Sequence, residues 1–249
     1  MALQGTRLQG IGRTVDEVGE QQEILGTFDF TGVTAADWRS SGNATVNGVT
    51  FTAINGNKCD TTFGPDGSTG IRVVQTKTGT IEAGNAPGIQ TALSNFGTLE
   101  NDDELCVDLR LTGNSASDFG RLVVALVDTD YVAAGVMYRS SPGQWEVGSI
   151  SASNQYTDPS IALTDSSDSV IQVVFTASGA VVFDRGSWSG SFPSDVGGTV
   201  VDAVGTEAGS GRTNFKPRLA SATLRVVSYR TSGSTNVTIH AIRVRRRKK

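Results

Sequence analysis

Gly120 to Arg139 reads GRLVVALVDTDYVAAGVMYR, and its reading decides the fold. Leu122 to Val127 is a short, nearly unbroken apolar run rich in Val and Leu. Such a run is too short for a buried helix and has the composition of a buried strand. Asp128-Thr129-Asp130 is turn chemistry, because an Asp side chain bonds its own nearby backbone. Val132 to Tyr138 resumes as a second strand, with Gly135 at a bulge or a close approach. A hairpin apolar on both faces belongs in the middle of a β-sandwich.

The sequence on either side supplies strands to cover it. Ala44 to Ile54 holds Asn47-Gly48 between Thr/Val/Phe-rich arms, the strongest short-range signal for a type I′ hairpin. Leu25 to Thr31 and Ile71 to Thr78 read as further strands, Asn55 to Gly70 as a Gly-rich loop, and Ile89 to Phe96 as a strand or a short helical turn. Glu104 to Thr112 alternates: Leu105, Val107, Leu109 and Leu111 share one face, Glu104, Cys106, Asp108 and Arg110 the other. That predicts one buried and one wet face. Gln144 to Ser151 pairs next in sequence, and Val170–Thr176 with Ala180–Asp184 forms a hairpin through Ser178-Gly179. Gly186 to Lys216 is a long Gly/Ser/Thr-rich stretch, and stretches of this length usually carry function. Ala222 to Tyr229 and Asn236 to Arg245 close the domain. The expectation is all-β: an antiparallel two-sheet jelly-roll sandwich over residues 25–245, with an extended N-terminal arm at 1–24 and a basic tail at 246–249.

Composition agrees. The chain has 249 residues, 30 of them Gly, which suits one large β domain with many turns. Formal net charge is −4, so the body as a whole is not a nucleic-acid binder. Six of the last seven residues are basic, and removing them takes the charge to −10. Cys59 and Cys106 do not make a disulfide framework; buried free thiols are the ordinary reading, with a single bridge between them as the alternative. The N-terminus has no apolar core of a secretory signal, and no run is long enough to span a bilayer. A soluble chain made in the cytoplasm is expected.

Four stretches resemble the concanavalin A-like (laminin-G-like) jelly-roll family: FDFTG (Phe28–Gly32), LCVDLRL (Leu105–Leu111), RLVVALVD (Arg121–Asp128) and the last strand VTIHAIRV (Val237–Val244). The resemblance covers roughly residues 25–245. It implies that the first and last strands lie side by side, bringing arm and tail together. The combination also resembles virion structural proteins of tailed bacteriophages, which often carry one jelly-roll domain behind an attachment arm.

Candidate chemistry is sparse. His240 is the single histidine, and no nucleophile-elbow motif accompanies it. One His and two separated Cys do not make a zinc site. The jelly-roll family includes glucanases, whose Glu-x-Asp-x-x-Glu strand pattern is not found here, so a non-enzymatic protein without catalytic residues is expected. Calcium, the one cofactor considered, would fall to the loop carboxylates Asp102, Asp103, Asp128 and Asp130, although Asx-turn chemistry is the commoner use of such residues. Trp188, Tyr156 and Phe192 are the aromatics best placed in loops to stack on a sugar ring, with core packing as the ordinary alternative. Leu3, Leu8 and Ile11 of the arm, with Arg245, Arg246, Arg247, Lys248 and Lys249, are the expected docking residues.

The function expected from all this is a structural component of a bacteriophage virion, a head decoration or surface protein docked through its arm. Its partners would be other virion proteins and copies of itself. A tail-associated receptor- or glycan-binding module, meeting a host surface glycan, is the second reading. A capsid shell protein with a genome-facing basic tail is the third. No membrane partner is expected, and nucleic acid only through the tail.

Overall fold

The computed structural model describes residues 22–31, 33, 42–54, 61–65, 70–75, 88–113, 121–127, 133–139, 144–150, 168–176, 179–205, 219–229 and 235–248. These build two antiparallel sheets face to face, and the described residues contain 3-10 turns but no α-helix. The first sheet has eight strands. In spatial order they are β13 (Thr199–Gly205), β12 (Gly179–Ser187), β11 (Ser169–Thr176), β7 (Glu104–Gly113), β15 (Thr235–Arg247), β5 (Ile71–Gln75) and β4 (Thr61–Pro65), with β1 (Gln22–Asp29) also paired to β15. The second has seven: β10 (Gln144–Ile150), β9 (Ala133–Arg139), β8 (Arg121–Val127), β14 (Thr223–Tyr229), β6 (Gly88–Ala92), β3 (Val49–Ile54) and β2 (Asn43–Val46).

The opening hairpin is present as β8 and β9, paired from Arg121↔Arg139 to Val127↔Ala133. It packs in the seven-stranded sheet, with Leu122, Val124 and Leu126 in the core. Its turn lies outside the described residues. Asn47 and Gly48 adopt φ of 50° and 81°, as a type I′ turn requires, and β2 and β3 leave it in register. Ile89 to Phe96 divides into β6 and a 3-10 turn at Leu93–Phe96. The stretch 55–70, expected to be loop, contributes β4, because Ile71–Gln75 needs a partner on its outer edge.

β15 organises the eight-stranded sheet. Its first half pairs with β5 (Thr235–Ile239) and its second with β1, while β7 runs along the other edge. A register shift between Ile239 and Ala241 marks the change of partner. First and last strands therefore do lie side by side. The strands also extend beyond the expected body: β1 starts at Gln22 and β15 reaches Arg247.

Between the sheets, alternate residues of both interdigitate. Phe28, Phe30, Phe51 and Phe96 form an aromatic group, with Phe28–Phe51 centroids 5.2 Å apart and Phe30–Phe51 5.1 Å apart, both edge to face. That geometry suits ring quadrupoles. Leu105, Val107, Leu109 and Leu111 face this core as the alternation predicts. The opposite face of β7 is not wet, however: Glu104, Cys106 and Asp108 are buried too. The connection between β12 and β13 reaches across this face, onto the arginines that hold Asp108.

Candidate functional site

Each sheet turns a second face away from the core, and the two faces differ. On the eight-stranded sheet, Gln172, Asp108 and Arg243 stand in one row across β11, β7 and β15. Asp108 is 0 % exposed, and Arg245 beside it 1 %. A buried carboxylate persists only with its lone pairs satisfied. Asp108 Oδ1 accepts from Gln172 Nε2 at 2.6 Å and Arg245 Nη2 at 3.1 Å, while Oδ2 accepts from Arg243 Nε at 2.8 Å. Further guanidinium donors meet the segment Trp188–Gly198. Arg243 Nη1 donates to Phe192 O at 3.4 Å and Nη2 to Pro193 O. Arg245 donates to Ser194 O at 2.9 Å and to Asp195 O at 3.1 Å. Gly197 N donates to Gln172 Oε1 at 2.8 Å. The same burial pushes the Cys106 thiol up to about 12, the neighbouring guanidinium groups of Arg245 and Arg247 only partly opposing it.

Trp188 and Phe192, two of the three aromatics expected to stack on sugar, sit together on this segment. Their rings meet edge to face at 5.1 Å. The Arg110 guanidinium lies 4.6 Å from the Trp188 ring centroid, and Arg243 lies 5.0 Å from that of Phe192. Arg110 is held by a bidentate pair to Asp168, at 2.8 and 2.6 Å. Both rings are half-buried and serve to seat the segment on the sheet. Tyr156 lies outside the described residues.

The expected docking arginines also spend their charge inside the chain. Arg245 pairs with Asp108, Arg246 with Glu23 and Arg247 with Glu104. All three are strand residues rather than a free tail. Lys248 is exposed, and Leu3, Leu8, Ile11 and Lys249 lie outside the described residues. Of the calcium candidates, Asp103 is buried: its Oδ2 accepts from Glu100 N at 2.9 Å and lies 3.8 Å from Arg246 Nη1. That is a turn carboxylate with a cationic neighbour. Asp102 is exposed on the rim of a cleft of about 550 Å³ that Glu23, Phe96 and Lys248 also line. Asp128 and Asp130 lie outside the described residues. Among the described residues no three His, Cys, Asp or Glu side chains gather as a metal-binding group.

The outer face of the seven-stranded sheet is arranged differently. One row crosses all seven strands in register: Gly148, Gly135, Ala125, Arg225, Gln90, Thr52 and Asn43. At about 4.8 Å per strand it runs for roughly 29 Å. One end has glycine at two successive strands, with Ala125 next to them. The other presents planar polar side chains: Arg225 Nε donates to Gln90 Oε1 at 3.0 Å, which fixes both planes. Arg225 and Gln90 are half-buried and Thr52 is exposed. Of this row only Gly135 stood out in the sequence, as a bulge or close approach. Arg225 and Gln90 are far apart in the chain, and only the pairing of β14 with β6 joins them.

No protein-family model matches the chain, and no curated protein matches its sequence. Solved structures do share its architecture. The apo Crh5 transglycosylase is similar with a TM-score of 0.50 and 14 % identity, over 90 % of this chain and 86 % of that one. A putative β-glucanase from Mycobacterium abscessus gives 0.49 and 12 %, over 89 % and 100 %. A galectin from Caenorhabditis elegans gives 0.37 and 15 %, over 59 % and 86 %. At these identities the likeness speaks of fold alone. It does correct one expectation. The missing Glu-x-Asp-x-x-Glu pattern led to the expectation of a non-enzymatic protein, yet the structure with the TM-score of 0.50 is itself an enzyme, so catalysis on glycans is not excluded by the fold. Nothing in the described residues or in these likenesses points to a bacteriophage virion. The fold is a concanavalin A-like jelly roll, built from two antiparallel sheets with the first and last strands side by side.

Proposed function

We propose that this protein is a glycan-binding module whose ligand lies across the outer face of the seven-stranded sheet. The half of the row from Arg225 to Asn43 carries the reading. A sugar chain presents hydroxyls that both donate and accept. Arg225 offers only donors, Gln90 offers both, and the Thr52 hydroxyl offers both. Because Gln90 already holds Arg225 in one plane, little side-chain freedom is lost when a ligand arrives. Ala125, next in the row, is buried, so the ligand contacts fall on Arg225, Gln90 and Thr52. The likeness to a transglycosylase favours this reading over the virion one, while the row alone names the residues.

The test is a broad glycan array, followed by titration of the best hit. Arg225→Ala and Gln90→Ala should each weaken binding by about tenfold or more, the cost of a lost hydrogen bond to a charged or preorganised group. Thermal unfolding should move little, since neither side chain belongs to the core. Full binding by both variants would overturn the proposal. Incubating the bound glycan and analysing its ends separates a lectin from a transferase or hydrolase.

A further inference from the structure

The segment Trp188–Gly198 contributes no residue to the hydrophobic core. It is held by carbonyls on guanidinium groups, by two ring–cation contacts, by Gln172 on Gly197 N, by the Arg185–Asp195 ion pair at 2.7 Å, and by Trp188 N on Asp168 O at 2.9 Å. Segments with few buried apolar contacts open most easily. A second segment shares its anchor. Arg245 Nη1 donates both to Ser194 O and to Gln22 Oε1, at 2.9 and 3.0 Å. Gln22, Glu23 and Ile24 are exposed, whereas Phe28 further along β1 is core.

We propose that residues 188–198 form a lid that opens as one unit with residues 22–24 while the sandwich beneath stays folded. Opening uncovers the row Gln172–Asp108–Arg243 together with Arg245, a set of amide, carboxylate and guanidinium groups in which the lid's carbonyls accept from the Nη groups of Arg243 and Arg245 when closed. Arg245 links the two segments, because its Nη1 bonds both Gln22 and Ser194, and a guanidinium that swings away with one of them leaves the other. Lid and residues 22–24 therefore share one equilibrium, separate from global unfolding.

Native-state hydrogen exchange read by mass spectrometry tests this. In the wild type, the peptides covering 188–198 and 22–24 should exchange through a common opening, well before β7 and β11. Trp188→Ala removes the contacts to Arg110 and Phe192 at the far end of the lid and takes nothing from the core. It should speed exchange of 188–198 by about tenfold, the loss of one ring–cation and one ring–ring contact. The decisive reading is at 22–24, beyond the ring contacts of Trp188: the same factor is expected there. Acceleration confined to 188–198 would overturn the shared opening. So would exchange of the lid only at the rate of β7 and β11, which would mean that it opens only when the whole domain unfolds.

Discussion

Asp108 shows how one residue can set the character of a face. Because it alternates with Val107 and Leu109, it should have been a solvated carboxylate on the polar side of β7. Instead it is fully buried, with Gln172, Arg243 and Arg245 around it. Two guanidinium groups share this one carboxylate, and the excess charge is spread over backbone carbonyls of residues 192–195. Removing the carboxylate would strand both cations in a site closed to solvent. Asp108→Ala should therefore lower unfolding free energy by roughly 3–5 kcal/mol, the usual cost of breaking a buried pair from one side. Urea unfolding measures it, and a loss below about 1 kcal/mol, typical of exposed pairs, would show that the cluster is solvated after all.

At the scale of the element, the strands obey their local signals where pairing and turn chemistry agree. Asn47-Gly48 is the clear case, with left-handed φ at both positions. Gly88 is a case that local signals do not show. It opens β6 opposite Val227, and a Cβ built there would stand 2.1 Å from Val226 O and 2.6 Å from Val227 Cα. Those are backbone atoms of β14 and cannot rotate away. Gly88→Ala should push β6 off β14, destabilising by at least the roughly 1–3 kcal/mol of ordinary overpacking. Because Gln90 is two residues along the same strand, the shift should also separate it from Arg225 and weaken glycan binding. An alanine variant with unchanged unfolding and binding would contradict that account.

For the whole molecule, β15 is where everything meets: β5 and β1 on one edge, β7 on the other, the lid above and the core below. Its arginines compensate acidic residues from distant parts of the chain, Glu23, Asp103, Glu104 and Asp108. The basic end is thus part of the sandwich's own electrostatics. Truncation separates this from a solvated tail. Removing residues 248–249 should leave thermal stability unchanged, while removing 243–249 should leave a chain that does not fold cooperatively, read by circular dichroism and thermal melts. A 243–249 deletion that melts like the full chain would return those arginines to a role outside the fold.

Much of this was legible in one dimension. The apolar runs, the period-two alternation of Glu104–Thr112 and the Asn-Gly turn determine an all-β sandwich, because strand burial and turn geometry depend on near neighbours in the chain. The side-by-side first and last strands followed from the family resemblance. The sites were not legible in the same way. Arg225 meets Gln90 across 135 residues, Arg245 meets Gln22 across 223, and Asp108 joins Arg245 across 137. Charge runs such as RVRRRKK look like tails because sequence shows the cations without the carboxylates that face them. Only sheet register decides which acid stands opposite which base, and only the path of the β12–β13 connection decides that a polar face is buried rather than wet.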